Sequence, residues 1–165
     1  MITTAILTIS DKGSQGKRDD YSGPAIEEWV SSKGYELSYK KIIPDEIEII
    51  KNELLSCCSR HINLILTTGG TGLSSRDVTP EATKAVIDKE VPGFSEIMRS
   101  KSFEITPHAV LSRGVSGIKD NSLIINLPGS PKAVKENLSF IEAAVPHAID
   151  IIKGRIGDCA EPLQE

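Results

Sequence analysis

Three glycines within four positions form the most distinctive segment of this sequence, which reads Thr68-Gly69-Gly70-Thr71-Gly72. Because glycine has no Cβ, the backbone of such a loop can adopt positive φ angles and approach a ligand closely. Its successive N–H groups can converge on an anion, and threonine hydroxyls can add further donors. The loop matches neither the GxxxxGK[ST] nor the GxGxxG pattern. The residues therefore predict either a phosphate-binding loop or a tight turn.

Two aspartates, Asp45 and Asp77, stand where predicted strands lead into helices. Carboxylates at such positions could hold a divalent cation against a substrate phosphate. Both residues also have a purely structural interpretation. Asp77 could stabilise the start of a nearby helix, and Asp45 could cap the second helix, with Glu48 completing a capping box. The spacing alone leaves these alternatives open.

Two further polar turns belong to the same set of strand-to-helix connections. The first contains Ser10, Asp11, Asp20 and Ser22, and the last reads Pro128-Gly129-Ser130 before a helix that starts at Pro131. A helix N-terminus offers free N–H groups to an anion, although this segment could equally be an ordinary connection.

The remaining reactive side chains predict no site of their own. The histidines show no metal-ligand spacing, and the pair Cys57-Cys58 lies on a predicted helix without a nearby base, which argues against a thiol nucleophile. An odd number of cysteines, with Cys159 near the end and no CxxC motif, argues against a disulfide framework and a zinc site.

Strands alternate with helices along the chain. The predicted strands are Ile2–Ile9, Tyr35–Ile43, His61–Thr67, Val115–Lys119 and Ser122–Leu127. Predicted helices begin at Gly23-Pro24, at Asp45, at Thr79 acting as a cap, at Phe94 and at Pro131, with a break at Pro146. This order predicts a three-layer α/β/α sandwich with a mostly parallel sheet and one antiparallel strand from the last hairpin. In such sheets ligands bind beyond the carboxyl ends of the strands, where the four polar turns should meet.

The amino-acid composition excludes several classes of protein. The 165 residues include 39% hydrophobic and 25% charged residues, which predicts one globular domain over residues 1–165 and excludes collagen-like and disordered classes. A net charge of -4 argues against a nucleic-acid partner. The apolar N-terminus is too short for a membrane span and lacks a basic leader, so we expect a cytoplasmic protein without a membrane partner.

Taken together, three motifs resemble the signature of the MogA/MoaB molybdenum cofactor biosynthesis family, which gephyrin and plant molybdopterin-binding domains share. They are Thr67–Gly72, Arg76–Ala82 and Asn126–Pro131. The resemblance extends from Thr8–Asp11 to Val145–His147 and so covers nearly the whole chain. Within the family, the chain is most similar to the MogA-type molybdopterin adenylyltransferases at Leu7–Asp11, Ile26–Trp29, Ile43–Asp45 and Pro92–Phe94.

This resemblance implies an enzyme that transfers AMP from ATP to the terminal phosphate of molybdopterin and releases pyrophosphate. It also implies Mg²⁺ as cofactor, a homotrimer, and delivery of the product to a molybdenum-insertion protein. The implied catalytic and metal-binding residues are Asp45 and Asp77. The implied nucleotide-phosphate site consists of Thr68, Gly69, Gly70, Thr71, Gly72, Ser10 and Asp11. On the pterin side the resemblance implies Asp20, Ser22, Pro128, Gly129 and Ser130.

Two other functions remain open. A non-catalytic molybdopterin-binding or scaffold protein would keep the fold, and the chain resembles compact MoaB-type relatives in lacking an insertion before the last helix. A nucleotide pyrophosphatase of the same superfamily would hydrolyse the nucleotide. The presence of Asp45 and Asp77 favours catalysis over the first, and the turn Asn126–Pro131 weighs against the second. Arg76 could offset phosphate charge or pair with its acidic neighbour.

Overall fold

A computed structural model of the protein describes residues 1–155; the predictions concerning Cys159 and the end of the domain lie outside them. The strands are β1 (Thr3–Ile9), β2 (Glu36–Ile43), β3 (Leu64–Thr68), β4 (Lys89–Glu90), β5 (Ser116–Lys119) and β6 (Ser122–Leu127). The helices are α1 (Asp11–Ser14), α2 (Ser22–Ser32), α3 (Ile47–Ser59), α4 (Thr79–Lys84), α5 (Pro92–Phe103), α6 (Pro131–Ile141) and α7 (Ala144–Ile152), with a 3₁₀ helix at Pro107–Leu111.

All six strands form one sheet in the order β2-β1-β3-β6-β5-β4. Strand β1 pairs in parallel with β2 and β3, and β3 pairs in parallel with β6. Strand β5 runs antiparallel to both of its neighbours, β6 and β4. The predicted sheet, mostly parallel with one antiparallel strand, is confirmed. Every residue of β3 and β6 is buried, as expected of strands covered on both faces.

Helices cover both faces of the sheet and create two apolar cores. On one face Ile6 of β1 packs in a cluster with residues of α2, α5, α6 and α7. On the other face the next residue, Leu7, packs in a cluster with residues of α3 and α4. Successive strand side chains point to opposite faces, so one strand serves both cores. The three-layer α/β/α prediction is therefore confirmed.

Three local predictions were wrong. The helix expected to start at Asp45 begins at Ile47 after Glu46, and no side chain caps it, because the Asp45 carboxylate binds the Asp11 amide. Thr79 is the first residue of α4 and not its cap, since its hydroxyl donates to the Gly69 carbonyl.

The third wrong prediction is the helix break at Pro146. The break lies earlier, between the end of α6 at Ile141 and the start of α7 at Ala144, and Pro146 itself lies in the first turn of α7. Proline is tolerated there because the first-turn N–H groups have no partner within the helix. Helix α1, the two-residue strand β4 and the 3₁₀ helix were not predicted. No helix within residues 1–155 combines the length and the apolar character needed to cross a bilayer.

Candidate active site

A cleft of about 440 Å³ opens at the carboxyl ends of the parallel strands. All four predicted turns contribute to its wall. The predicted site residues that line it are Ser10, Asp20, Ser22, Asp45, Thr68, Gly69, Gly70, Asp77, Gly129 and Ser130. The structure places the other predicted residues beside the cleft without lining it: Asp11, Thr71, Gly72 and Pro128. The cleft lies at the edge of the sheet where the topology rule for open α/β sheets predicts ligand binding.

The glycine loop requires glycine at two of its positions. Gly69 has φ +93° and Gly70 has φ +64°, both in the left-handed region. A Cβ on Gly69 would lie 2.4 Å from the Ile9 carbonyl oxygen, and one on Gly70 would lie 2.3 Å from Thr79 Oγ1. Thr79 also fixes the loop, because its N–H donates to the Gly70 carbonyl at 3.1 Å and its hydroxyl to the Gly69 carbonyl at 3.0 Å.

The loop also packs against the turn that follows β6. The Thr68 hydroxyl donates to the Pro128 carbonyl at 2.7 Å, and the Gly69 N–H donates to the Leu127 carbonyl at 3.3 Å. A Cβ on Gly129 would lie 3.4 Å from the Gly69 Cα. Two donors that the sequence suggested for an anion therefore hold the two turns together. The remaining loop segment stands at the cleft beside Asp45, whose Oδ1 lies 3.0 Å from where a Gly70 Cβ would be.

Asp45 is partly buried at the cleft, where its Oδ2 accepts a hydrogen bond from the Asp11 N–H at 2.8 Å. Burial raises the pKa of the Asp45 carboxyl. The hydrogen bond from Asp11 opposes that rise, while the charges of Asp11 and Asp77 add to it. The charged form of a partly desolvated carboxylate is unfavourable near other carboxylates, and a bound cation stabilises it.

Asp77 lies on a tight loop between the glycines and α4. Its Oδ2 accepts from the Ser74 N–H at 3.0 Å, and its own N–H donates to the Ser74 carbonyl at 2.9 Å. Arg113 holds the ends of this loop, donating from Nε to the Gly72 carbonyl at 2.8 Å and from Nη2 to the Asp77 carbonyl at 2.7 Å. Arg113 also pairs with Glu81.

Arg76 does not pair with its neighbour Asp77. Its guanidinium binds the Asp11 carboxylate through two hydrogen bonds of 2.9 and 3.0 Å and donates to Glu46 Oε1 at 2.7 Å. The Arg76 hydrogen bonds lower the pKa of Asp11, with a further contribution from the Asp45 N–H. Both Asp11 carboxylate oxygens thus accept hydrogen bonds, and the Asp11 N–H holds the Asp45 carboxylate in position.

Asp20 is engaged in the same way at the start of α2. Its Oδ1 accepts from the Gly23 N–H at 2.8 Å and from the Ser22 hydroxyl at 3.2 Å, and its Oδ2 accepts from the Thr8 hydroxyl at 2.8 Å. Its carboxylate therefore satisfies a helix N-terminus. Ser130 likewise caps α6 by accepting from the Ala133 N–H at 3.2 Å.

Sequence reasoning missed two residues at the site, Arg18 and Arg113. Arg18 is an exposed cation in the wall of the cleft, which the exposed Tyr21 of the segment Asp20–Gly23 also lines, as expected for that polar turn. Arg18 belongs to no motif, and only its position in the polar segment after β1 could have suggested it. Arg113, which holds the Asp77 loop, is distant from every motif in the sequence.

Asp45 and Asp77 each keep one carboxylate oxygen without a hydrogen bond from residues 1–155, and both line the cleft beside the glycine loop. The exposed Asp19, whose Oδ2 accepts from the Tyr21 hydroxyl at 3.3 Å, also lines the cleft and likewise keeps one such oxygen. Within the same part of the chain, no group of three or more His, Cys, Asp or Glu side chains is arranged to hold a metal. Mg²⁺ does not need such a cage, because it binds through one or two carboxylates, substrate phosphates and water. The residues present therefore fit Mg²⁺ carried with a nucleotide.

Two bacterial molybdopterin adenylyltransferases are similar to this chain along most of their length. A molybdopterin adenylyltransferase from Helicobacter pylori (strain J99) is 44% identical over 157 residues, covering 93% of this chain and 89% of that protein. The protein of the same name from Escherichia coli (strain K12) is also 44% identical, covering 90% and 84%.

Solved structures agree with these sequence relatives. The molybdopterin biosynthesis enzyme MoaB from Thermus thermophilus has 45% identity and a TM-score of 0.88, covering 93% of this chain and 98% of that chain. The Mog protein from Mycobacterium ulcerans has 36% identity and a TM-score of 0.88, covering 92% and 99%. Residues 5–147 match the family model described as "Probable molybdopterin binding domain". The chain therefore belongs to the molybdopterin-binding domain family of molybdenum cofactor biosynthesis proteins.

Proposed function

We propose that this protein is a molybdopterin adenylyltransferase, which transfers AMP from ATP to the molybdopterin phosphate and releases pyrophosphate. The observation that carries the proposal is one cleft in which the glycine loop, Asp45 and Asp77 meet. The 44% identity to adenylyltransferases over most of the chain supports the same activity. A non-catalytic protein would have little reason to keep two carboxylates beside a loop whose backbone conformation requires glycine.

The chemistry that this cleft must perform is a displacement at the α-phosphorus of ATP. An oxygen of the molybdopterin phosphate forms a bond to that phosphorus, and the bond to the oxygen of the leaving pyrophosphate breaks. Several negative groups meet in this step, so the protein must align them and neutralise their charge. Backbone N–H groups at Gly70 and beyond would orient the phosphates, and no covalent intermediate on the protein is required.

We also propose that the enzyme depends on Mg²⁺, held by Asp45 and Asp77. When bound, the ion supplies positive charge to the nucleotide phosphates and orients them for attack. The two carboxylates each keep an oxygen clear of hydrogen bonds within residues 1–155, which supports this assignment. Asp11 and Asp20 would serve the site by fixing Asp45 and the start of α2, since their oxygens are already engaged.

The two substrates would occupy different sides of the cleft. The nucleotide phosphates would lie over the loop Thr68–Gly72 and beside Ser10. Molybdopterin would lie toward Asp20, Ser22 and the turn Pro128–Ser130. The contact between the glycine loop and this turn supports the division, because it brings the ends of the two substrates together.

We propose that the protein is a cytoplasmic homotrimer over one domain of residues 1–165 that passes its product to a molybdenum-insertion protein. Exposed apolar side chains between the end of α5 and the end of the 3₁₀ helix support contact between copies: Phe103, Ile105, Val110 and Leu111. Native mass measurement tests the trimer, and a mass of one chain would contradict it.

One incubation separates the proposed activity from its two alternatives. The protein is mixed with MgATP and molybdopterin, and adenylylated molybdopterin, pyrophosphate and AMP are quantified. Adenylylated molybdopterin with pyrophosphate supports the transferase. Molybdopterin binding without product would indicate a binding or scaffold protein, and nucleotide cleavage that does not need molybdopterin would indicate a pyrophosphatase.

A further inference from the structure

We propose that Arg76 is a positioning residue for adenylyl transfer, because it ties the loop that carries Asp77 to the turn that carries Asp45. Arg76 is not among the residues that line the cleft, so it would act through other side chains. The inference rests on the proposed function, since it concerns the geometry of the two carboxylates assigned to that reaction.

The first half of the tie is the pairing between Arg76 and two acidic residues. Its Nε donates to Asp11 Oδ2 at 2.9 Å and its Nη2 to Asp11 Oδ1 at 3.0 Å, while Nη2 also reaches Glu46 Oε1 at 2.7 Å. A two-point contact between guanidinium and carboxylate fixes direction as well as distance. Asp11 follows β1 and Glu46 precedes α3, so one side chain binds two separate segments.

The second half is the pairing between Asp11 and Asp45. The Asp11 N–H donates to Asp45 Oδ2 at 2.8 Å, and the Asp45 N–H donates to Asp11 Oδ1 at 3.0 Å. Asp11 Oδ1 thus accepts from both Arg76 and Asp45. At the other end Arg76 directly precedes Asp77, on a loop closed by two hydrogen bonds between Asp77 and Ser74. The guanidinium therefore connects the supports of both carboxylates.

The positive charge of Arg76 has a second effect at this edge of the sheet. The carboxylates of Asp11, Asp45, Glu46 and Asp77 are gathered at this edge, and Arg76 is bonded to two of them. Without its charge they would repel one another. The Arg76 side chain is 52% exposed, and exposed ion pairs contribute little to folding stability. Its loss should therefore change the geometry of the site and leave the fold intact.

A double-mutant cycle tests whether Arg76 acts through Asp11. We expect Arg76→Ala to lower kcat for adenylyl transfer by about 10²-fold, as for a misplaced catalytic group, with KM for MgATP changed less than about threefold. Arg76→Lys should restore little, because an ammonium cannot make the two-point contact. The double variant Asp11→Asn/Arg76→Ala should be no slower than the slower single variant.

The opposite results would overturn the proposal. An equal loss from Arg76→Ala in the wild-type chain and in the Asp11→Asn variant would mean that Arg76 acts on a substrate phosphate directly. A raised KM with unchanged kcat would mean the same. The matched control is Arg155→Ala, which removes another exposed arginine paired with a carboxylate, Asp150, at 3.5 Å, and should leave kcat and KM unchanged.

A second measurement detects the effect of the Arg76 contacts on the two segments in the absence of substrate. Hydrogen–deuterium exchange of the full chain should become faster over Ser74–Asp77 and at Asp45 in Arg76→Ala and stay unchanged in Arg155→Ala. Unchanged exchange in Arg76→Ala would overturn the proposal. If the wild-type chain forms no adenylylated molybdopterin while exchange responds as expected, the proposed function and the catalytic role fail, and the structural tie stands.

Discussion

Arg113 and Asp77 are far apart in sequence, yet Arg113 Nη2 donates to the Asp77 backbone carbonyl at 2.7 Å. The same guanidinium donates through Nε to the Gly72 carbonyl at 2.8 Å. Gly72 and Asp77 lie at the two ends of the loop that leads from the glycines to α4. Arg113 therefore holds this loop through its backbone, which leaves the Asp77 carboxylate for the cleft.

This contact predicts that Arg113→Met weakens both stability and turnover. Two carbonyls would lose donors, at about 0.5–1.5 kcal/mol of unfolding free energy for each bond. We expect a lower Tm and a kcat reduced by about tenfold or more, measured by thermal unfolding and the adenylyl transfer assay. Arg60→Met, which removes an arginine stacked on Tyr39 away from the cleft, is the control and should retain full kcat. Full activity in Arg113→Met would contradict the positioning of Asp77.

Asp77→Asn should reduce turnover by roughly 10²–10³-fold, as expected when one electrostatic element of a transition state is lost. The amide keeps the shape of the side chain and an oxygen for the Ser74 N–H, so the Tm should change little. The control is Asp150→Asn on α7, which removes a partly exposed carboxylate outside the cleft. Adenylyl transfer within about tenfold of the wild type would rule out the assignment of Asp77.

Gly70→Ala tests the glycine loop against a control with the same backbone conformation. Gly16 has φ +68° and no atom within 4 Å of a Cβ, so Gly16→Ala measures the backbone strain alone, about 1–2 kcal/mol. Gly70 has φ +64°, and its Cβ would also collide with Thr79 Oγ1 and approach Asp45 Oδ1. We expect both variants to lose stability and only Gly70→Ala to lose activity. Equal activity in the two variants would refute a role for this loop.

Arg18→Gln should weaken binding of the nucleotide, because Arg18 places an exposed positive charge in the wall of the cleft. We expect KM for MgATP to rise about fivefold, with kcat changed less than about twofold and a smaller dependence of KM on salt. Lys17→Gln removes the neighbouring charge, which lies outside the cleft wall, and serves as the control. Identical KM values for the two variants would mean that the Arg18 side chain does not contribute to binding of the nucleotide.

The thiols of Cys57 and Cys58 should be unreactive in the folded protein, since both are buried between α3 and the sheet. Burial raises the pKa of Cys57 from 9.0 to about 12. A raised thiol pKa favours the folded state below about pH 9, and this contribution is lost as the pH rises toward about 12. In a Cys159→Ser background, a thiol reagent at about pH 8 should label two residues only after unfolding. Rapid labelling of the native protein would contradict the burial.

The position of the site was predictable from the sequence because it depends on topology. Alternating apolar runs and helical periods predict the parallel sheet, and the parallel sheet places all four turns at one edge. The apolar composition of β3 also indicated a strand covered on both faces. These properties depend on local sequence and on the order of the elements along the chain, both of which can be read from a single sequence.

The contacts inside the site were not predictable. Glu48 after Asp45 resembles a capping box, yet the Asp45 carboxylate accepts from the Asp11 amide, which belongs to a different turn. The neighbouring charges of Arg76 and Asp77 suggest a pair, yet Arg76 reaches Asp11. Each correct partner is distant in sequence and becomes available only when the sheet has formed. Local patterns therefore predict the edge of the sheet at which the candidate site lies, but they predict the wrong hydrogen-bond partners for its side chains.

The most direct test of the proposed activity follows the α-phosphate of ATP. The full-length protein is incubated with α-labelled ATP, Mg²⁺ and molybdopterin, and the label is traced in the products beside an Asp77→Asn sample. We expect label in adenylylated molybdopterin and an equal amount of pyrophosphate, both strongly reduced by the substitution. Label that stays in ATP, or that appears only as free AMP, would contradict it.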